Sequence, residues 1–220
     1  MGRNMIRVVL VDDHQVVLDG LKGLLSDEPD IEVVALADNG RAGVELAGEH
    51  KPDVVVLDVA MPELNGIAAV KQILSASPKT KVLALSMHTG GQIVSDMLQA
   101  GAAGYVVKSS PIEEVVHAIK TVVIGKTFLS PEIAGSIVQD YVRGTPSKKD
   151  STRSALTDRE KEVLQLVAEG KSSKQIAADL HVTTKTIEWH RKGIMDKLGL
   201  RSIAELTKYA VREGLTTLDT

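Results

Sequence analysis

The 220-residue chain contains no cysteine, which excludes disulfides and thiolate metal sites and suits a reducing cytosol. Aromatic residues make up only 2%, too few for the stacking platforms on which single-stranded nucleic acid is bound. No run approaches the roughly 18 apolar residues that span a bilayer. The apolar start at Met5–Val11 is cut short by Asp12 and Asp13, too soon for a secretory signal. Ile6 stands where a myristoylation signal after Gly2 needs Ser or Thr. Walker A, GxGxxG and nucleophile-elbow patterns are missing, and the six histidines show no metal-ligand spacing such as HExxH. The expectation is a cytoplasmic protein with no membrane partner.

What is present divides in two. The length suits two small domains, and the 43% hydrophobic and 25% charged fractions are ordinary for globular protein. The net charge of −3 speaks against a nucleic-acid binder until the halves are separated. Residues 1–124 hold 10 Lys/Arg against 16 Asp/Glu, whereas residues 153–213 hold 12 against 9. An acidic module joined to one that meets phosphates has this asymmetry, though an excess of three is a modest signal.

The first 125 residues alternate short β-branched runs with amphipathic stretches. The runs Ile6–Val11, Glu32–Ala37, Val54–Leu57, Val82–Leu85 and Gly104–Val107 are continuously apolar, as in strands buried on both faces of a parallel sheet. Between and after them come Val16–Leu25, Arg41–Ala47, Ile67–Leu74, Ile93–Gln99 and Ile112–Val123, giving a (βα)5, doubly wound α/β unit. Ser110, Pro111 and Glu113 predict a capping box at the start of the last helix. Residues 126–154 read as a linker holding one short helix over 130–142, followed by a solvated stretch without apolar period. From 155 to 217 the pattern is all-α: four helices at Asp158–Ala168, Ser173–Leu180, Thr184–Leu198 and Ile203–Arg212. Thr157 with Glu160 and Ser172 with Gln175 are capping boxes, and Gly170, His181 and Gly199 mark breaks.

Ligands of open parallel sheets bind beyond the carboxyl ends of the strands. Here strand one ends in Asp12–Asp13, strand three in Asp58, strand four in Ser86 and strand five in Lys108. In a 2-1-3-4-5 order the first and third strands are neighbours, so three carboxylates meet. Such crowding needs a cation, and an all-oxygen ligand set suits Mg²⁺. Asp58 is the candidate nucleophile, able to form an acyl phosphate. Transfer asks chiefly for positioning and positive charge, which Mg²⁺ and Lys108 supply, while the Ser86 hydroxyl reaches a phosphoryl oxygen. Taken singly, Asp12–Asp13 reads as a solvated strand end, Asp58 as a turn residue, Ser86 as a helix cap and Lys108 as a surface charge. Their conjunction carries the reading.

The segments LVDDH, VVVLDVAMPELNG, LALSMH and GAAGYVVKSS resemble the receiver domain of two-component response regulators, over residues 5 to about 124. The resemblance implies that Asp13 and Asp58 ligate Mg²⁺ with the backbone carbonyl of Ala60, and Asp12 directly or through water. It implies a sensor histidine kinase as phosphoryl donor, and Tyr105 as an aromatic that turns inward when Ser86 moves. Without it, Tyr105 reads equally as a half-buried strand residue. Ala60 and Met87 depart from side chains common beside this site, which leaves the lifetime of an acyl phosphate open.

In the tail, Lys174–Lys192 fits a helix-turn-helix. Ile176, Leu180, Ile187, Ile194 and Leu198 face inward, and Thr183–Thr186 offer hydroxyls and N–H groups to a phosphate. LTDREKEVLQLVAEGKSSKQIAADLHVTTKTIEWHRKGIMDKLGLRS is similar to the LuxR-type DNA-binding domain, and the pairing with a receiver resembles the NarL/FixJ class. That implies double-stranded DNA as partner and homodimers after phosphorylation. Glu188, Trp189 and Lys192 become base-proximal, with Thr184, Lys185 and Arg191 nearer phosphates. Glu188 replaces a Lys common in the class and can instead accept from a cytosine amino group. His190 packs beside the core or touches a phosphate; His14, His50, His88 and His117 read as structural or solvated. Two rivals remain. A haloacid-dehalogenase-type phosphatase needs a second Asp where Ala60 stands, and a non-DNA adaptor would use the tail to bind protein.

Overall fold

The computed structural model describes residues 5–62, 64–142 and 156–216, which form two compact units divided between Gln139 and Asp140. The stretch 143–154, read above as solvated, lies outside the described residues.

The first unit runs β1 (Ile6–Val11), α1 (Gln15–Ser26), β2 (Ile31–Ala37), α2 (Gly40–His50), β3 (Val54–Asp58) and α3 (Gly66–Ala76). It continues with β4 (Lys81–Ser86), α4 (Gly91–Ala100), β5 (Gly104–Val107), α5 (Ile112–Val123), β6 (Phe128–Leu129) and α6 (Pro131–Val142). All pairings are parallel, in the order β2-β1-β3-β4-β5-β6. Because side chains alternate along a strand, each apolar run feeds both faces of the sheet. Val9, Val55, Leu57, Ala84 and Tyr105 pack with α2, α3 and α4 through Ala47, Val70, Ile73 and Met97. Val8, Leu10, Val54, Val56, Leu83 and Val106 pack with α1 and α5 through Leu18, Leu25, Val115 and Ile119. This is the doubly wound α/β architecture expected.

Two local features differ from expectation. A sixth strand follows α5, with Gly104 opposite Phe128 and Tyr105 opposite Leu129. The helix after it, α6, buries Ile133 completely in the core that holds Tyr105. The start of the supposed linker therefore packs with the sheet. The predicted capping box on α5 is also absent. Pro111 is the cap residue without a side-chain bond, and Ser110 Oγ donates to Glu114, not Glu113, at 3.0 Å. With Pro111 rather than Ser110 as the cap residue, the third helical position falls on Glu114, one place beyond Glu113.

The loop after β3 is shaped by a close approach. Gly66 N donates to Val59 O at 2.8 Å, and a Cβ at Gly66 would lie 2.7 Å from Val59 Cα and 2.8 Å from Asp58 O. Only glycine lets α3 begin so near the strand end. Asn65 then caps α3, accepting from Ala68 N at 3.0 Å.

The second unit is helical: α7 (Asp158–Ala168), α8 (Ser173–Asp179), α9 (Thr184–Leu198) and α10 (Ile203–Arg212). Capping boxes begin α7 and α8 as expected, and a third, Ser202 with Glu205, begins α10. His181 adopts φ 53°, the left-handed turn that its position requires. Val163, Leu164, Ile176, Ile187, Ile194 and Leu206 form the core.

Glu160 secures this unit. Its buried carboxylate accepts from Thr157 N at 2.8 Å, Thr157 Oγ1 at 3.1 Å and Lys197 Nζ at 2.6 Å. Burial pushes the carboxyl up, but Lys197 and the Thr157 donors together hold it below the ordinary glutamate range. We expect Glu160→Ala to destabilise the helical unit by about 2 kcal/mol, mostly through the lost cap because Lys197 is partly solvated. The depressed value makes this contribution present at neutral pH and lost on acidification below that range. Denaturant melts should show the gap closing in acid.

Candidate metal centre and nucleic-acid interface

The register of β1 against β3 sets Val11 opposite Leu57, so Asp12, just past β1, and Asp58, the last residue of β3, emerge side by side. One ligating atom from each of Asp12, Asp13, His14 and Asp58 falls within 4.8 Å of the others. Asp12 and Asp58 are 2% and 4% exposed, a depth at which bare carboxylates are costly. Lys108, just past β5, reaches back so that Nζ stands 2.7 Å from both Asp58 Oδ2 and Asp12 Oδ2. Its backbone N donates to Ser86 O at 2.8 Å, which anchors the loop on β4.

The charges do not balance. Three carboxylates face one ammonium, with His14 Nδ1 at 3.2 Å from Asp12 Oδ1 and 2.8 Å from Asp13 Oδ1. Asp12 Oδ2 and Asp13 Oδ1 are buried and accept no well-aligned hydrogen bond, although Lys108 and His14 stand at ion-pair distance. Such oxygens are available to a hard divalent cation. Burial and then the neighbouring Asp12 push the Asp58 carboxyl up to about 6, against the pull of Lys108. Burial lowers the Lys108 ammonium, but Asp58 and Asp12 more than offset it and leave it above its ordinary value.

The other predicted residues surround this centre. Ala60 N donates to Asp58 Oδ1 at 3.3 Å. Ser86 is buried, its Oγ accepting from His88 N at 3.1 Å. Tyr105 is fully buried rather than half-buried, and its hydroxyl donates to His88 O at 2.7 Å. Burial pushes that phenol up to about 12. His14, expected to be structural or solvated, instead stands with its ring against Asp12 and Asp13.

In the second unit, Thr183 caps α9, accepting from Thr186 N at 3.2 Å. Lys185, Glu188, Trp189 and Lys192 are exposed at helical spacing i, i+3, i+4 and i+7, opposite buried Ile187 and Ile194. Thr184 is exposed beside them, and Trp189 is 70% exposed, with its ring edge-on to His190 at 5.0 Å. Arg191 stands apart: it is half-buried and donates to Ser173 Oγ on α8 at 3.0 Å. His190 is half-buried, with Nδ1 buried, which favours packing beside the core.

Comparison with known proteins agrees with both halves. Residues 8–120 match the family model of the response regulator receiver domain, and residues 154–210 that of bacterial regulatory proteins of the luxR family. The oxygen regulatory protein NreC of Staphylococcus carnosus is 36% identical over 214 residues, covering 96% of this chain and 99% of that protein. The transcriptional regulatory protein MctR of Rhizobium johnstonii is 37% identical over 215 residues, covering 98% and 97%. Among solved structures, RcsB of Salmonella enterica serovar Typhimurium, bound to promoter rprA with the phosphomimetic BeF3-, superposes with TM-score 0.66 at 25% identity. That match covers 94% of this chain and 98% of the other. Among the described residues, no helix is long and apolar enough to cross a membrane.

The raised Asp58 carboxyl has a measurable consequence. A folded-state value above the unfolded one means that stability falls as pH rises from about 4 through about 6. In metal-free solution, Asp58→Asn should therefore melt higher than the parent chain at pH 7.5, by about 1–3 kcal/mol of stability. The advantage should vanish near pH 4; melting curves at both pH values check it.

Proposed function

This chain belongs to the two-component response regulators of the NarL/FixJ class, and from that membership we propose that it regulates transcription through phosphorylation of Asp58. The receiver is assigned to residues 1–125, the linker with its helix to 126–154 and the DNA-binding domain to 155–217, all in the cytoplasm. The observation that carries the reading is Asp58 itself, buried at a strand end between Lys108 and two further carboxylates.

Mg²⁺ would be held by Asp13, Asp58, the Ala60 carbonyl and Asp12, and when bound it supplies positive charge to the phosphoryl oxygens. An Asp58 carboxylate oxygen attacks phosphorus in the phosphohistidine of a sensor histidine kinase. The P–N bond breaks as the P–O bond forms, and the imidazole leaves with the electron pair. Lys108 loses its bond to Asp58 Oδ2 and pairs with the incoming phosphoryl group. The Ser86 hydroxyl turns toward that group, releasing the His88 N–H it accepts from now. Tyr105, tied to the His88 carbonyl, follows any shift of that loop. The chain is a regulator, not a conventional enzyme; its only catalysis would be transfer to, and slow hydrolysis from, its own Asp58.

The output is DNA binding by homodimers that phosphorylation favours, each copy laying α9 in the major groove of double-stranded DNA. The promoter-bound relative supports this reading. Glu188, Trp189 and Lys192 face base edges, and Thr184, Lys185 and Arg191 lie nearer the backbone. The bond from Arg191 to Ser173 uses part of its guanidinium within the domain, which orients the remainder.

Acetyl phosphate with Mg²⁺ should label the parent chain and leave Asp58→Asn unlabelled. Labelling should tighten binding to an operator fragment about tenfold, a shift of some 1.4 kcal/mol. The affinity should fall steeply with salt, as counterion release requires. Salt-independent retention would favour the adaptor, and an unlabelled parent chain would end the proposal. Glu188→Lys should strengthen binding to unrelated DNA and steepen the log–log salt slope by about 1, measured by fluorescence titration.

A further inference from the structure

We propose that Ser130, which lies beyond the fifth βα unit, is a positioning residue for Lys108. The inference rests on the reading of Asp58 as phosphoacceptor.

Phosphoryl transfer makes a geometric demand on Lys108. Its Nζ must pass from Asp58 to the incoming group, yet it extends from a loop of four residues, 108–111, between β5 and α5. The loop backbone is held on one side by Lys108 N to Ser86 O. On the other side the neighbouring strand β6 ends at Leu129, so its ladder stops before the end of β5. Ser130 extends it. Its backbone N donates to Tyr105 O at 3.0 Å, and its Oγ accepts from Val107 N at 3.2 Å, the residue directly before Lys108.

The hydroxyl proton of Ser130 goes to Glu114 Oε1 on α5. The same oxygen accepts from Ser110 Oγ at 3.0 Å. Val107 directly precedes the loop and Ser110 lies within it, so the loop is tied at two points to one Ser130–Glu114 pair. Ser130 is 1% exposed, and a buried polar network of this kind is rigid when its partners are present. A serine before a helix-opening proline would ordinarily serve as that helix's cap. Here its carbonyl accepts from Ala134 N, while the hydroxyl turns toward β5 and α5. The linker segment thus completes the scaffold of the phosphorylation site, and α6 is joined to the loop that senses the phosphoryl group.

The test compares acetyl phosphate labelling rates of the full-length chain with Mg²⁺ in two backgrounds. Ser130→Ala should slow labelling about tenfold, the scale expected when a catalytic group is displaced by a fraction of an ångström. In a Lys108→Ala background the same substitution should change the rate by less than about twofold, since nothing remains to be aimed. The Mg²⁺-induced rise in melting temperature should be the same with and without Ser130→Ala, which separates aiming from damage to the acidic cluster. If Ser130→Ala does not fold, Glu114→Gln takes its place and should show a several-fold loss with the same dependence on Lys108. An unchanged rate, or an equal loss in both backgrounds, would overturn the assignment while leaving Asp58 as phosphoacceptor. Absence of label on the parent chain would remove both.

Discussion

Three carboxylates crowded at adjacent strand ends, Asp12 and Asp58 buried and Asp13 half-buried, are the constraint on which the first unit depends. Two unit charges 4 Å apart repel by about 4 kcal/mol at an effective dielectric constant near 20. Lys108 relieves part of that for Asp58 and Asp12, and His14 leans on Asp13. The remaining imbalance is tolerated because Val54–Leu57, fully buried beneath, hold Asp58 in place with a rigid sheet. Negative charge stored to this degree is relieved by a cation. Asp58 at about 6 rather than 3.8 is the local signature of that stored cost.

The response has a short physical route outward. Ser86, Lys108 and Tyr105 occupy the ends of β4 and β5, joined by Lys108 N to Ser86 O and by the Tyr105 hydroxyl to His88 O. Tyr105 lies in the core that receives Ile133 of α6, and its carbonyl accepts from Ser130 N. A rearrangement at the acidic centre therefore meets the linker helix through packed side chains and backbone bonds. Two such packings need differ by only a few kcal/mol for a doubly charged group to choose between them.

The large features were legible because they follow from periodicity. Continuous Val- and Leu-rich runs can be satisfied only by a sheet covered on both faces, and their polar ends then have to converge. The capping boxes at Thr157 and Ser172 were legible because they are local, satisfied within four residues. What escaped depends on tertiary partners. Strand β6 has two residues, too few to display a period, and exists because the edge of β5 needs bonds. Ser110 had the spacing to bond Glu113 but meets Glu114, which Ser130 also engages from sixteen residues' distance. His14 gave no spacing signal at all; its position beside Asp13 emerges only once α1 begins at Gln15.

The helical unit works under a different electrostatic rule. The chain as a whole is acidic, and even the tail carries only a small basic excess, so attraction to phosphates cannot come from net charge. It has to come from placement. Lys185 and Lys192 stand one heptad apart on the exposed side of α9, with Glu188 and Trp189 between them. In the proposed docking Lys185 meets the backbone and Lys192 a base edge, while an exposed carboxylate beside them is repelled by phosphate and is tolerable only opposite an amino group on a base edge. The one arginine of the helix is partly engaged by Ser173, which keeps its charge but takes up one of its N–H donors. A domain arranged in this way is expected to have weak indiscriminate affinity, so the proposed pairing of two copies would change occupancy more than it would for a strongly basic protein. Modest charge in the output unit thus complements the proposed switch by assembly.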